Sequence, residues 1–189
     1  MAWMIVSDSS CEIRELERPA PGVQFALVPF KIRVGEREYV DLATLNTQQM
    51  LQAMTDYNGA STTACPSPEE WAEYFLQADN VFALTISSNL SGSYNAAQLA
   101  AEEYQQENPG KRVFVLDSLS TGPEQRLLAE HLRDELAAGK EFDAVCEEML
   151  RYHKHTHLLF SLESLANLAR NGRVKPAVAA VARMLGIRV

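Results

Sequence analysis

Three short segments hold the side chains best suited to chemistry: Ser7-Asp8-Ser9-Ser10, Thr62-Thr63-Ala64-Cys65-Pro66-Ser67-Pro68, and Ile86-Ser87-Ser88-Asn89-Leu90-Ser91-Gly92-Ser93-Tyr94. Each is dense in hydroxyls, and each sits where an apolar, strand-like run ends. A fourth, Asp117-Ser118-Leu119-Ser120-Thr121-Gly122, follows another such run. Ligands in open α/β sheets bind beyond the carboxyl ends of the strands. Backbone N–H groups at the helix start after Gly92, with the Ser91 hydroxyl, favour an anion. Ser10, Ser88, Asn89, Gly92 and Ser118 are the candidates to complete such a site. The same residue types also serve as helix caps and turn formers, which is the plainer reading of any one segment taken alone.

Catalysis finds less support. Asn89-Leu90-Ser91-Gly92-Ser93 lies on a strand-to-helix turn, but it is not the G-x-S-x-G elbow. A serine triad needs a histidine oriented by a carboxylate. Only His131, inside a helical stretch, and the cluster at 153–157 are available. No G-x-x-x-x-G-K-[ST] loop is present. No catalytic residue is assigned. A Ser-dependent esterase or a phosphoryl-transfer-related enzyme is the alternative reading, since an anion-holding floor also suits phosphate. A ligand-free interaction domain is a third.

His153, His155 and His157 alternate, and on a strand they would share one face at metal-ligand spacing. A solvated helix-to-strand junction explains them as well, so no metal and no cofactor is assigned. Cys65 precedes a capped helix, where it is either a reactive thiol or a small buried hydrophobe.

The elements that must position these segments alternate in type. Trp3 to Val6 reads as a buried strand and Phe25 to Val34 as a second, with Gly35-Glu36-Arg37 turning the chain back through Glu38 to Val40. Asn46 starts a helix to about Thr55. Ser67-Pro68-Glu69-Glu70 is a stronger start, with Ser67 as cap, Pro68 at the first helical position and Glu70 reaching back. Strands follow at Val81–Ser87 and Val113–Leu116. Helices follow at about Gly92–Gln106, Glu124–Ala138 and from Phe142, where Phe142, Val145, Cys146, Met149 and Leu150 form one stripe. Beyond the histidine cluster, Leu158-Leu159-Phe160 suggests a strand, Ser161–Ala169 a helix, and Val174–Leu185 a small-residue helix before an apolar strand start at Gly186–Val189. The fold class expected is α/β: a mostly parallel sheet flanked by helices over residues 1–156, followed by the start of a second, incomplete α/β domain over 157–189.

Composition narrows the partners. The 189 residues are 47% hydrophobic, enough for a full core. The formal charge of −8, without clustered Lys and Arg, disfavours nucleic acid and anionic membrane surfaces. Three widely spaced cysteines without a C-x-x-C fit reduced thiols and a cytoplasmic setting. Met1–Asp8 reads as a first strand rather than a signal peptide, and no run approaches the length of a membrane span.

The ordered motifs resemble the DegV family of bacterial fatty-acid-binding proteins. Ile5-Val6-Ser7-Asp8-Ser9-Ser10 is similar to that family's opening strand and D-S motif. Val28-Pro29-Phe30-Lys31-Ile32 with Tyr39-Val40-Asp41 resembles V-P-L-x-I … Y-x-D. Thr63-Ala64-Cys65-Pro66-Ser67-Pro68 resembles T-S-Q-P-S-P, and Ile86 to Tyr94 resembles I-S-S-x-L-S-G-T-Y. Asp117-Ser118 resembles the D-S turn, and Leu165 through Val174 resembles L-x-x-L-x-x-G-G-R-I. The resemblance covers the whole chain.

It implies two α/β domains and a buried acyl chain. The ligand carboxylate is then held by Thr63 and Ser91, with Arg173 near the head group. Some family members present the bound fatty acid to a separate kinase, which makes acyl phosphate. Ala64 and Cys65 stand where the family has Ser and Gln, and Asn171 replaces the first Gly of G-G-R. Physics agrees with the implied ligand class. Burying each methylene is worth about 0.8 kcal/mol, so a long chain nominally gains on the order of 10 kcal/mol. Ligand-efficiency experience gives roughly half that. The tail supplies affinity and the hydroxyls fix orientation.

Overall fold

In the computed structural model, residues 2–162, 165–175, 177, 178 and 180 are described. They fall into two compact units: residues 1–30, 41–43 and 65–158, and residues 31–40, 44–64 and 159–189.

The first unit is built on apolar runs that alternate in the face they present. Strands β1 (Trp3–Asp8), β2 (Val23–Val28), β6 (Asn80–Thr85) and β7 (Arg112–Asp117) form a sheet in the order β2-β1-β6-β7, with every pairing parallel. A parallel sheet carries helices on both faces, so its central strands are buried on both sides and mostly apolar. The central strand β6 is buried at every position. Ile5, Phe82 and Leu84 point to one face, against α4 (Pro123–Ala137) and α5 (Phe142–His153). Met4, Val6, Val81 and Ala83 point to the other, against α2 (Pro68–Phe75) and α3 (Ser93–Glu107). Phe82 stacks on Phe142 with ring centroids 4.7 Å apart, and Trp71 and Phe75 are fully buried on the opposite face.

The helix starts expected from sequence are present. Ser67 Oγ accepts from Glu70 N at 3.3 Å, while the Glu70 carboxylate accepts from Ser67 N at 2.9 Å, a complete capping box. α4 stops at Gly139, whose φ of +73 is open to glycine at little steric cost.

In the second unit, β3 (Lys31–Val34), β4 (Arg37–Val40) and β5 (Thr62–Ala64) make an antiparallel sheet in the order β4-β3-β5. Gly35 and Glu36 make the β3–β4 turn, with Gly35 at φ +60. Helix α1 (Thr47–Asp56) is capped by Asn46, whose Oδ1 accepts from Gln49 N at 3.0 Å. Helix α6 spans Ala166–Arg170.

The structure departs from the sequence reading in several places. The single strand expected over Phe25–Val34 is two strands in two different sheets. Pro29, which has no N–H to give a ladder, lies in the break between them. Residues 158–160 form no strand: Leu159 is 93% exposed and Phe160 64%. Among the described residues, the helix expected over 161–169 begins at Ala166, where α6 runs to Arg170. His153 is the last residue of α5, so the three histidines do not lie along one strand face. The division drawn at 156/157 follows the chain linearly, whereas the second unit also takes in residues 31–40 and 44–64. Most of the helix expected over 174–185, and all of the strand start at 186–189, lie outside the described residues.

Candidate functional site

The strand order reverses its direction of winding between β1 and β6, and α/β sheets form a ligand crevice beyond the strand ends at such a point. Asp8 closes β1 there, and the Ile86–Ser93 segment leaves β6. The Asp8 side chain is fully buried. Its Oδ2 accepts from Ile86 N at 2.8 Å and from Ser93 Oγ at 2.7 Å. Its Oδ1 accepts from Gln125 Nε2 at 2.9 Å and lies 2.5 Å from Ser10 Oγ. Burial pushes this carboxyl above its ordinary range, although the bonds to Ser10, Gln125, Ile86 and Ser93 pull the other way.

The segment after β6 folds on its own hydroxyls. Leu90 N and Ser91 N donate to Ser87 O at 2.9 and 3.1 Å, and Asn89 N donates to Ser87 Oγ at 3.2 Å. Ser91 Oγ accepts from Ser93 N at 3.2 Å, capping α3 where Gly92 has no side chain to do so. Among the described residues no acceptor takes the Ser91 hydroxyl proton. Ser88 and Asn89 are exposed, and Gly92 is exposed beside the Cys65 thiol.

The neighbouring turn is more self-contained. Asp117 Oδ1 accepts from Ser88 N and Leu119 N, and Ser120 O accepts from Ser87 N, so the two strand-end turns are bonded together. The buried Ser118 spends its hydroxyl inside the turn, donating to Ser120 O at 3.0 Å. His153 Nε2 donates to Ser118 O at 2.7 Å.

Ser10, Ser88, Asn89, Ser91, Gly92 and Ser118 thus all belong to the first unit, at strand ends of one sheet. Thr63 and Arg173 belong to the second. Thr63 pairs with Ile32 on β5 and lines a cavity of about 480 Å³ together with Ile32, Met54, Tyr57, Arg170 and Asn171. Arg173 is exposed and donates to Asn171 O at 2.9 Å. The sequence reading missed two residues here. Gln125, a fully buried amide in the first turn of α4, braces Asp8; its only local signal is a polar side chain three residues after Gly122. Arg170 lines the cavity, three residues before the arginine singled out by the motif.

His131 does have a carboxylate partner: its Nε2 lies 3.1 Å from Glu148 Oε1, and its ring stacks on Tyr152 at 3.9 Å. That pair bridges α4 and α5, which cover one face of the sheet, whereas Ser91 leads into α3 on the other. The donor atoms of His131, Glu135 and Glu148 lie within 4.8 Å of one another, a spacing open to a metal. Each carboxylate is already engaged, however, Glu148 by Arg151 at 2.6 Å and Glu135 by Lys140. Balanced charge of this kind gives a cation little to gain. Cys11 is buried, and burial pushes the Cys146 thiol up to about 12. No helix among the described residues is long and apolar enough to cross a membrane.

The family model described as "Uncharacterised protein, DegV family" matches residues 2–189. A DegV domain-containing protein of Streptococcus gordonii is 41% identical over 189 residues, covering 100% of this chain and 67% of the relative. The crystal structure of the Streptococcus pneumoniae fatty acid kinase B3 protein loaded with linoleic acid superposes with a TM-score of 0.96 at 41% identity, covering 100% of this chain and 67% of that one. A DegV family protein from Eubacterium eligens loaded with heptadecanoic acid gives a TM-score of 0.90 at 40% identity, with the same coverage.

Proposed function

The chain belongs to the DegV family, and we propose that it binds a long-chain fatty acid and presents it to a fatty-acid kinase. The observation that carries this reading is the likeness at a TM-score of 0.96 to a fatty acid kinase B3 protein loaded with linoleic acid. The strand-end hydroxyls and first-turn N–H groups of α3 support it on chemical grounds, because together they suit an anionic head group such as a carboxylate.

In this reading Thr63 and Ser91 donate their hydroxyl protons to the fatty carboxylate. Ser10, Ser88, Asn89, Gly92 and Ser118 shape the strand ends around it, and Arg173 lies toward the head group. Ser91 Oγ accepts from Ser93 N, and among the described residues no acceptor takes its own proton. The protein is a carrier and not a catalyst: the His131–Glu148 pair is on the α4/α5 side of the sheet and is not available to activate Ser91. Unpaired thiols support a cytoplasmic location.

Native mass spectrometry of the purified chain tests the reading. A co-purified mass of fatty-acid size, exchangeable with added oleate, is expected, and a chain that stays bare with excess oleate overturns it. Thr63→Val and Ser91→Ala are each expected to weaken oleate binding by about tenfold or more, as hydrogen bonds to a charged group are worth about 1.5–3 kcal/mol. Steady hydrolysis of p-nitrophenyl acyl esters that disappears in Ser91→Ala would instead make the protein an esterase.

A further inference from the structure

Ser10 Oγ carries one proton but faces two acceptor oxygens, Asp8 Oδ1 at 2.5 Å and Gln125 Oε1 at 2.7 Å. It can serve only one of them. The Gln125 amide is oriented by its other end, where Nε2 donates to Ser7 Oγ and to Asp8 Oδ1, both at 2.9 Å. Ser7 Oγ in turn lies 3.2 Å from Leu84 O, which takes its proton. Turning the amide over would let nitrogen donate to Ser10, but it would then set Oε1 against Asp8 Oδ1. Either orientation leaves one close oxygen–oxygen contact short of a proton.

We propose that Asp8 is held as a neutral carboxylic acid, its proton on Oδ1 donated to Ser10 Oγ, and that this neutral acid is the positioning residue for the Ile86–Ser93 segment. The chain of donors then closes: Asp8 O–H to Ser10 Oγ, Ser10 O–H to Gln125 Oε1, Gln125 N–H to Ser7 Oγ and Asp8 Oδ1. On the other oxygen, Ile86 N–H and Ser93 O–H hold the segment to the end of β1.

The surroundings favour the neutral form. Asp8's hydrogen-bond partners are all uncharged. The ionisable groups of the elements around it are Cys11 on the 3-10 turn after β1, Glu124 in the first turn of α4, Asp117 at the end of β7, and His153 on Ser118 O. Cys11 is kept as a thiol by burial. Arg14, a few residues on, is paired with Asp41 at 2.6 Å.

The consequence for the site rests on the fatty-acid reading. A negative Asp8 bonded to Ser93 would oppose a second carboxylate arriving at Ser91 and the start of α3. A neutral Asp8 keeps the hydroxyls in place without opposing it.

The test is carbon NMR of the full chain with carboxyl-labelled aspartate. The Asp8 resonance is identified by its loss in Asp8→Asn and, should that variant not fold, by its displacement in Ser10→Ala, which keeps the carboxyl. It is expected to hold the protonated position through neutral pH. An Asp8 signal already in the ionised position at neutral pH overturns the proposal. Oleate affinity, measured from neutral to alkaline pH, is then expected to fall several-fold as Asp8 deprotonates, and not in Asp8→Asn. Affinity that stays flat through that deprotonation overturns the link to the site. Failure to bind oleate at any pH would remove the fatty-acid reading and the link built on it, while leaving the carboxyl result to stand or fall by itself.

Discussion

The Sγ of Cys65 lies 3.5 Å from the point where a side chain on Gly92 would begin. The loop carrying Cys65 and the segment carrying Ser91 are therefore in contact range at the start of α3. Gly92 has φ −77 and ψ 1, values open to any residue, and a methyl at 3.5 Å is an ordinary contact. Gly92→Ala is expected to leave stability within about 0.5 kcal/mol, as surface substitutions usually do. It should nonetheless weaken oleate binding, because the methyl occupies the approach to Ser91. Unchanged affinity, with unchanged denaturant midpoint, would mean that the ligand does not pass this glycine.

The same thiol is half-buried, as is that of Cys146. Cys11 is fully buried, and Cys146 is held protonated by burial, with its pKa pushed up to about 12. Native alkylation with iodoacetamide at mildly alkaline pH should add one label, on Cys65, and the label should block oleate binding. A label found on Cys146 by peptide mapping would contradict this order of reactivity.

The capping box at α2 is a stability element with a defined cost. Ser67→Ala removes the acceptor for Glu70 N and is expected to lose about 1 kcal/mol by chemical denaturation. Ser67→Asp should retain most of it, since aspartate caps as well as serine. Equal losses in both variants would show that Ser67 acts through packing.

Acid–base behaviour follows from Asp8. Its folded-state pKa is raised above the ordinary 3.8, so its contribution to stability is fully present below that value and is lost as pH rises through the folded value. Across that window, the denaturant midpoint of the wild type should decline relative to Asp8→Asn and then run parallel to it. A wild-type midpoint that instead rises relative to the variant over the same range would indicate an aspartate stabilised in its charged form.

Much of this was legible in the chain itself. Alternating apolar runs and helical stripes gave the parallel sheet and its flanking helices because burial on both faces demands apolar strands such as Asn80–Thr85. Ser67-Pro68-Glu69-Glu70 and Asn46 specified their caps locally, as capping depends on side chains within one turn. The hydroxyl-rich strand ends, and the motif order that marks the family, are likewise properties of sequence alone.

Other features were decided by tertiary structure. Nothing near Phe25–Val34 announces that its two halves enter different sheets, since strand partners are set by distant residues. An apolar triplet such as Leu158-Leu159-Phe160 reads as a strand, yet it forms none, and Leu159 and Phe160 are exposed. Gln125 reaches Asp8 and Ser10 from more than a hundred positions away. The pairing of one serine proton with two acceptors is a fact of three-dimensional placement. Sequence supplied the hydroxyls; only packing around a buried carboxyl determined which of them, like that of Ser93 on Asp8, are spent on the fold.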